Sequence, residues 1–260
     1  MTDVEKRRFG DLEFTIVFQP IFDITNDYAP YAYEALVRGS SGESASAVLG
    51  SIDERDRDAF DAACRAAAVE IAVAYQIPCR LSLNLTPSAM CSPHHGIYST
   101  IRTARKLGYP EGLLIFEVTE EENCSHFPLM RRHFDAYRKR GVKIAIDDFG
   151  AGYAGLSSVV MIAPDIIKLD ASLVRNIDSD PLRQALVRGN LDAFRLVGIS
   201  VIAEGVETER ERDFLKDAGI GLMQGYYFSA PSSLSVFRFP RNLATSSYLP
   251  ADRPPRTGPI

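Results

Sequence analysis

The chain contains no tryptophan, few cysteines and histidines, and no apolar run near the roughly 20 residues that a membrane-spanning helix needs. Its charged start, MTDVEKRRFGDLEF, lacks the features of a signal peptide, so we expect neither secretion nor a membrane anchor. The cysteines show no metal-ligand spacing. We interpret all of them as reduced thiols of a cytoplasmic protein: Cys64, Cys79, Cys91 and Cys124.

The sequence also lacks an excess of positive charge. Its formal net charge is −5 at pH 7. Proteins that bind nucleic acid or an anionic membrane surface usually present a basic face to it. We therefore expect neither partner for this chain.

Strand and helix patterns alternate along a chain of 260 residues, of which 46 % are hydrophobic. Short apolar runs bounded by turn residues predict strands. These runs lie at 13–20, 31–37, 80–85, 112–117, 142–147, 165–169, 199–203 and 221–224. Helical patterns separate most of them, at 54–75, 94–107, 125–139, 154–161, 180–196 and 207–218.

This alternation predicts an α/β fold, a modified (β/α)8 TIM-type barrel in a single domain over residues 1–239. The connection at 22–30 suits a hairpin rather than a helix, so we expect the first two strands to pair antiparallel. The segment 240–260 is rich in proline and polar residues, and we interpret it as a flexible tail.

Carboxylates stand at or just beyond the ends of four of these strands. They are Glu34, Glu117, Asp147, Asp148 and Glu204, and Asn84, Lys168 and Gln224 occupy similar positions. In a TIM-type barrel, functional groups gather at the C-terminal ends of the strands. Like charges in one cleft raise each other's pKa unless a cation is present, and Mg²⁺ or Mn²⁺ prefers such oxygen ligands.

The adjacent aspartates could hold two ions, with one carboxylate bridging them. Such a pair of ions is typical of phosphoryl-ester hydrolysis. Lys168 would then supply a fixed positive charge beside the attacking water or a phosphate oxygen. Arg38 could bind phosphate through both arms of its guanidinium. The glycine-rich stretch FGAGYAGLSS after Asp148 is a candidate mobile loop over the site.

Each of these residues also has a structural interpretation. A strand-end glutamate is usually solvated, and the Asp147–Asp148 pair would suit a helix N-cap. Lys168 could pair with Asp165 or Asp170, and Gln224 could be a hydrogen-bonded core amide. The DFG triplet also occurs in protein kinases, but no kinase glycine-rich loop or HRD motif accompanies it. If all these structural interpretations held, several unrelated polar residues would lie at the same end of the barrel by coincidence.

A set of short motifs in order makes the chain resemble the EAL domain family of cyclic-di-GMP phosphodiesterases, over roughly residues 10–235. The motifs are QPI (19–21), EALVR (34–38), NLT (84–86), EVTE (117–120), DDFGAGYAGL (147–156), KLD (168–170), AEGVE (203–207) and QGYYFSAP (224–231). The resemblance implies a modified barrel that hydrolyses cyclic di-GMP to linear pGpG with Mg²⁺ or Mn²⁺, two ions per site.

The resemblance also implies a role for each matching residue. Ligands of one metal would be Glu34, Asn84, Glu117 and Asp147, and Asp147 and Asp148 would share the second. Glu204 would hold a metal directly or through water. Lys168 would orient or deprotonate the attacking water, Gln224 would position it, and Glu120 would anchor the loop after Asp148. Substrate contacts would come from Gln19, Leu36, Arg38, Asp170 and Pro231.

The family often places this loop and the following helix at a homodimer interface, so a homodimer is implied. One departure is Ala230, where the family commonly has Lys or Arg. The motifs look closest to EAL domains attached to BLUF photosensors, although no sensor is present in this sequence. An alternative is a catalytically silent sensor of cyclic di-GMP, or a module that controls a regulator. A weaker alternative is a phosphodiesterase for another nucleotide.

Overall fold

The computed structural model describes residues 6–86, 89, 92, 94–119, 127–152 and 155–237, without the side chains of 127–130, 132 and 133. The predictions for Glu120, Cys91, Cys124 and the segment 240–260 lie outside these residues, as does part of the glycine-rich loop. The boundary at residue 239 also stays a prediction. The other two cysteines, Cys64 and Cys79, are free thiols.

Within the described residues, nine strands form one sheet in the order of the chain. They are β1 (Lys6–Phe9), β2 (Leu12–Asp23), β3 (Ala29–Gly39), β4 (Arg80–Asn84), β5 (Leu114–Thr119), β6 (Lys143–Phe149), β7 (Ile166–Leu169), β8 (Ser200–Ala203) and β9 (Leu222–Met223). Pairing of β2 with β9 closes β2–β9 into a barrel. Within the barrel, β2 is antiparallel to its two neighbours, β3 and β9, and the remaining strands are parallel, which confirms the predicted modified barrel.

Helices follow most of the parallel strands. They are α1 (Ala45–Gly50), α2 (Arg57–Ala74), α3 (Ile97–Leu107), α4 (Phe127–Arg138), α5 (Gly155–Ile162), α6 (Ala171–Val174), α7 (Pro181–Leu196) and α8 (Glu209–Asp217). Single 3₁₀ turns occur at Glu54–Asp56, Glu111–Leu113 and Leu234–Val236. Among the helices described, none has the length and apolar character needed to cross a bilayer.

Local sequence signals account for several helix ends. The Asp180 carboxylate accepts hydrogen bonds from the backbone N–H groups of Leu182 and Arg183, and Pro181 occupies the first turn of α7. Gly108 ends α3 in the left-handed conformation, with a φ of 77°, which costs a residue without a Cβ little.

The barrel interior is filled by a small cluster of apolar side chains, each from a different strand. Its members are Ile21, Ala32, Ile115, Ala145, Ile166 and Ile202. A larger apolar cluster contains side chains of both the strands and the surrounding helices. Stacked layers of this kind make the centre of a TIM-type barrel a packed core rather than a pore. The next inward-facing residue on each strand, two positions away in sequence, therefore lies in the layer above this core.

Three short elements were not predicted from the sequence. Strand β1 consists of three basic residues and Phe9 (KRRF), and it pairs with β2 through a tight turn at Gly10, whose φ is 57°. Helices α1 and α6 have six and four residues. Elements of this length hold too few residues for an apolar periodicity to appear.

A buried arginine connects α2 to the end of β4. Arg65 is 2 % exposed. Its Nε donates to Thr100 Oγ1 at 3.0 Å, its Nη1 donates to Asn84 O at 3.3 Å, and it forms an ion pair with Asp61 one turn earlier. Asp61 also accepts a hydrogen bond from Thr86 N at 3.3 Å. Helix α2 thus holds the chain where it leaves β4.

We predict that Arg65→Met lowers the free energy of unfolding by about 3 kcal/mol, because it leaves the partly buried Asp61 without its cation. Urea unfolding followed by circular dichroism would measure the loss. Arg55→Met is the matched control, since Arg55 pairs with Asp53 on the surface and its removal should leave the unfolding midpoint essentially unchanged. Equal midpoints for all three proteins would contradict a structural role for Arg65.

Candidate active site

The strand-end residues share the inward face of the barrel with the core cluster. Each follows a core residue by two positions, and successive side chains of a strand point to opposite faces, so both members of a pair point inward. The pairs are Ala32 and Glu34, Ile115 and Glu117, Ala145 and Asp147, Ile166 and Lys168, and Ile202 and Glu204. Strand β2 runs the other way, so Gln19 precedes its core residue Ile21 by two.

Lys168 lies at the centre of this group. Its Nζ is 2.8 Å from Asp147 Oδ1, 2.9 Å from Glu117 Oε1, 2.8 Å from Glu204 Oε1 and 3.5 Å from Glu34 Oε2. The lysine is 1 % exposed. Asp165 pairs instead with Arg138, so a simple pairing of Lys168 with Asp165 is excluded.

Gln224 connects Glu34 to the antiparallel strand. Its Nε2 donates to Glu34 Oε2 at 2.7 Å and to Gln19 Oε1 at 3.3 Å. Gln19 in turn donates through Nε2 to the backbone oxygen of Ser229 at 3.0 Å. The Oε1 of Gln224 is buried and accepts no hydrogen bond from the described residues. This amide therefore faces the carboxylate group and is not a fully satisfied core amide.

The carboxylates form two groups that share Asp147. One contains Glu34, Glu117 and Asp147, and the other contains Asp147, Asp148 and Glu204. In each group, one oxygen per residue lies within 4.8 Å of the others. Glu117 Oε2 is buried without a hydrogen-bond donor among the described residues. Hard divalent cations bind oxygen sets of this kind, so these residues fit a centre for two ions.

Several carboxyls of the site have raised pKa values. Burial raises the pKa of Glu117 to about 8, although the Lys168 ammonium opposes the shift. Burial and the adjacent Asp147 raise the pKa of Asp148 to about 6. Burial also raises the pKa of Glu204 well above its ordinary value. Burial acts to lower the pKa of Lys168, but Asp147 and the other carboxylates raise it well above its ordinary value, so the lysine is protonated.

Asp147 and Asp148 do not cap a helix. They lie near the end of β6, whereas α5 begins only at Gly155. Asp148 has a φ of 52°, in the left-handed region that non-glycine residues adopt at a cost. This backbone turn makes Asp148 exposed while its neighbour Asp147 is buried. Adjacent carboxylates thus reach the same site from different directions.

A cavity of about 500 Å³ opens beside this site. Its walls come from β3, α1, α2 and the chain after β4, and they include Leu36 and Asn84. Asn84 lies opposite Glu117 in the parallel ladder between β4 and β5. The walls are mainly apolar, with polar groups at Asp61 and Arg65. This combination suits a mostly apolar group with a few polar edges.

The remaining predicted substrate residues lie at strand ends or in adjacent turns. Arg38 is on β3, and its Nη1 donates to the backbone oxygen of Val37 at 2.8 Å. Asp170 follows β7 and caps α6 by accepting a hydrogen bond from Ser172 N at 2.8 Å. Pro231 lies in the segment after β9, next to an isolated bridge between Ser232 and β2.

Two supporting groups were missed by reasoning from the sequence. Ser82 donates through Oγ to Glu117 Oε1 at 2.6 Å, and Arg65 holds the backbone of Asn84. Ser82 lies two residues before Asn84, so the alternation of strand side chains could have indicated its inward position. The contact of Arg65 joins residues from α2 and β4, and no local pattern could have indicated it.

Comparison with known proteins identifies related barrels. The EAL domain family matches residues 6–231 of this chain. Cyclic di-GMP phosphodiesterase PdeL of Escherichia coli is 31 % identical over 160 residues, which are 61 % of this chain and 44 % of PdeL. The blue light- and temperature-regulated antirepressor BluF of the same organism is 28 % identical over 213 residues, 82 % of this chain and 53 % of BluF.

Two solved structures extend the comparison. The cyclic-di-GMP-bound form of a standalone versatile EAL protein from Vibrio cholerae O395 is 38 % identical, with a TM-score of 0.80 over 85 % of this chain and 93 % of that one. The manganese and cyclic-di-GMP complex of Klebsiella pneumoniae BlrP1 is 34 % identical, with a TM-score of 0.78 over 87 % of this chain and 58 % of that one.

The chain spans less than half the length of PdeL and about half that of BluF. The similarity therefore concerns the barrel and not the whole of these relatives. The family match nevertheless covers nearly all of the described barrel, from β1 to the turn after β9. Sequence and fold agree over that length, and the chain belongs to the EAL domain family.

Proposed function

We propose that this protein is a metal-dependent phosphodiesterase that hydrolyses cyclic di-GMP to linear pGpG. The observation that carries the proposal is the pair of carboxylate groups sharing Asp147 around one buried lysine. Support comes from related barrels that were solved with cyclic di-GMP, one of them with manganese. The reaction would add water at one phosphorus and break one of its ester bonds.

The proposed metal ligands are the carboxylates of both groups together with Asn84. Glu34, Asn84, Glu117 and Asp147 would hold one Mg²⁺ or Mn²⁺, and Asp147, Asp148 and Glu204 would hold the second. When bound, the ions would supply Lewis acidity that activates water and neutralises charge on the phosphodiester. The raised pKa values of Glu117 and Glu204 mean that a metal must displace protons to bind.

Lys168 and Gln224 would act on the water rather than on the metals. The surrounding carboxylates keep Lys168 protonated, so its Nζ would donate hydrogen bonds that orient the attacking water or a phosphate oxygen. Orientation is thus favoured over proton abstraction by this residue. Gln224 already directs its amide nitrogen to Glu34, which leaves its buried Oε1 to accept a hydrogen bond from the water.

The substrate would extend across the strand ends. Leu36 and the cavity beside it would take one base, and Arg38 would bind a phosphate. Gln19, Asp170 and Pro231 would complete the contacts. The chain has Ala230 where the family commonly has Lys or Arg, so one basic contact with the substrate or a neighbouring loop would be missing.

A homodimer would use the helix that follows the glycine-rich loop. On α5, Leu156 is 59 % exposed, Val160 73 % and Met161 40 %. An apolar surface of this kind on a helix is typical of protein interfaces. Because the helix follows the loop after Asp148, dimer formation would bear on the conformation of that loop. The predicted role of Glu120 as its anchor belongs to the same proposal.

A second candidate function is a silent sensor that binds cyclic di-GMP and controls another protein. The similarity to BluF, which is named an antirepressor, favours it. The complete set of carboxylates around Lys168 favours the enzyme instead. A sensor has no need of a buried lysine at the centre of four carboxylates.

Incubation of the purified protein with cyclic di-GMP and Mn²⁺ or Mg²⁺ tests the proposal, with products separated by chromatography. We expect pGpG to form, and EDTA to stop it. Binding of cyclic di-GMP without turnover would identify the sensor instead. Turnover of other cyclic dinucleotides at equal rates would overturn the assigned substrate.

Asp147→Asn should abolish detectable turnover and weaken Mn²⁺ binding, because Asp147 belongs to both carboxylate groups. Chromatographic assays and calorimetric titration with Mn²⁺ would measure the two effects. Asp192→Asn makes the same chemical change on the exposed face of α7 and should leave both quantities unchanged. Wild-type turnover by the Asp147 variant would contradict the assignment of two metals.

Lys168→Met should separate metal binding from turnover. Its removal takes a competing cation away from the carboxylates, so Mn²⁺ affinity should be kept or increased. Turnover should fall at least about 100-fold, because the water or phosphate oxygen loses its preorganised hydrogen-bond donor. Calorimetry and steady-state kinetics would measure the two quantities, and Lys143→Met, at the start of β6, is the control. Undiminished turnover would exclude Lys168 from the reaction.

Affinity for Mn²⁺ should rise with pH. With a pKa of about 6, Asp148 loses its proton from about pH 5 to 7, and with a pKa of about 8, Glu117 loses its proton from about pH 7 to 9, so the proton competes less with the metal as the pH rises through this range. Calorimetric titrations at pH 7 in buffers of different ionisation enthalpy should detect protons released per Mn²⁺ bound. Binding without proton release, and with one affinity across this range, would contradict the raised pKa values.

A further inference from the structure

The short helix α6 lies against two turns that follow site residues. A Cβ added to Gly150, in the turn after Asp148, would lie 2.4 Å from Cδ1 of Leu173. A Cβ added to Gly205, next to Glu204, would lie 2.5 Å from the Cβ of Ala171. Side chains of α6 therefore touch the backbone of both turns, and a displacement of α6 would displace both.

The turn after β8 also reaches the last barrel strand. Val206 N donates to Gln224 O at 3.1 Å, and Gln224 N donates to Ala203 O at 2.8 Å. Val206 itself is fully buried. The backbone position of Gln224 is thus tied to the same turn that carries Glu204.

A single buried carboxylate joins this turn to α6. Glu211 is 2 % exposed and lies in the first turn of α8. Its Oε1 accepts a hydrogen bond from Asn176 N at 2.8 Å, just after α6. Its Oε2 accepts from Glu207 N at 3.0 Å and Thr208 N at 2.9 Å, at the end of the turn after β8.

We infer that Glu211 is a positioning residue that fixes the turns after β6 and β8 through α6, and so sets the placement of Asp148, Glu204 and Gln224. The inference rests on the proposed function for its kinetic part. It goes beyond helix capping because Glu211 Oε1 binds a backbone N–H 35 residues away in sequence. The N–H groups of Asn176, after α6, and of Glu207 and Thr208, in the turn after β8, would lose their acceptor if this carboxylate were removed.

Asp180 provides a matched comparison. It caps α7, and its carboxylate accepts hydrogen bonds only from Leu182 N and Arg183 N of that same helix among the described backbone groups. Loss of Asp180 removes a helix cap without separating two turns of the site. Loss of Glu211 removes a cap and the hydrogen bonds that a buried carboxylate makes to the segment after α6 and to the turn after β8, and it leaves only the exposed Arg175–Glu207 ion pair and the contact of Ala171 with Gly205 between them among the contacts described.

The experiment compares Glu211→Ala, Glu211→Gln and Asp180→Ala in the full chain. Calorimetry with Mn²⁺ alone would measure metal affinity, steady-state assays with cyclic di-GMP would give kcat and KM, and thermal melting would report the fold. Removal of a group that is bonded directly to a metal ligand typically changes metal affinity 10- to 100-fold, and Glu211 acts on the ligands only through α6 and the turns, so for Glu211→Ala we expect a loss of Mn²⁺ affinity at the lower end of that range, about tenfold. Its kcat should fall by about as much, with KM changed less.

Glu211→Gln should be intermediate, because its amide oxygen can accept from one turn only while its NH₂ group faces the other. This variant decides the matter if Glu211→Ala fails to fold. Asp180→Ala should melt at a lower temperature but bind Mn²⁺ as the wild type does. Wild-type Mn²⁺ affinity in both folded Glu211 variants, or an equal loss in Asp180→Ala, would overturn the inference.

The metal titration keeps this inference separate from the proposed function. A wild-type protein that binds Mn²⁺ without hydrolysing cyclic di-GMP would refute the proposed activity, and the Mn²⁺ affinities of the variants would still decide the role of Glu211. A wild-type protein that binds no Mn²⁺ would overturn both.

Discussion

The carboxylates around Lys168 impose the constraint on which the rest of this barrel depends. Four of them lie within 3.5 Å of one ammonium group that is itself buried. One positive charge cannot balance them, and burial makes unbalanced charge costly. Burial and mutual repulsion raise the pKa of Glu117 and of Glu204, and these raised pKa values favour the protonated, uncharged carboxyls. Divalent ions at the same oxygens would remove the repulsion more completely, so a group that is costly to the folded state is well suited to binding metal.

The fold assembles this group by simple strand geometry. Core residues such as Ile115 and Ile166 fill the barrel, and the next inward position on each strand carries Glu117 or Lys168. Parallel neighbours bring these positions to one end of the barrel. The antiparallel strand β2 reverses the order, so Gln19 precedes Ile21 and still reaches Gln224. The apolar core and the charged site are thus two consecutive layers of side chains inside the same barrel.

Sequence reasoning found the parts of the site that obey this alternation. A carboxylate two positions beyond a buried strand residue is visible in the chain, and so the cluster and the barrel could be predicted together. The sequence could not show which carboxylates pair with Lys168, because acidic residues stand at the ends of several strands. Their distances from Lys168 depend on how the barrel closes. Helix α6, with four residues, was too short to have a pattern. Glu211 is visible only as an acidic residue in a first helical turn, and its bond to Asn176 depends on the folded structure.

The groups that sequence could not supply are those that hold the charged layer in place. Asp148 adopts a left-handed backbone conformation, which persists only where the surrounding contacts impose it. Leu173 lies against Gly150 in the turn that follows, and Glu211 fixes the segment that carries Leu173. Repulsion among the carboxylates would otherwise spread these turns apart before any metal binds. A site built from like charges therefore needs its rigidity from outside the charged layer, and in this barrel hydrogen bonds from backbone N–H groups to the buried Glu211 carboxylate and close glycine contacts provide it.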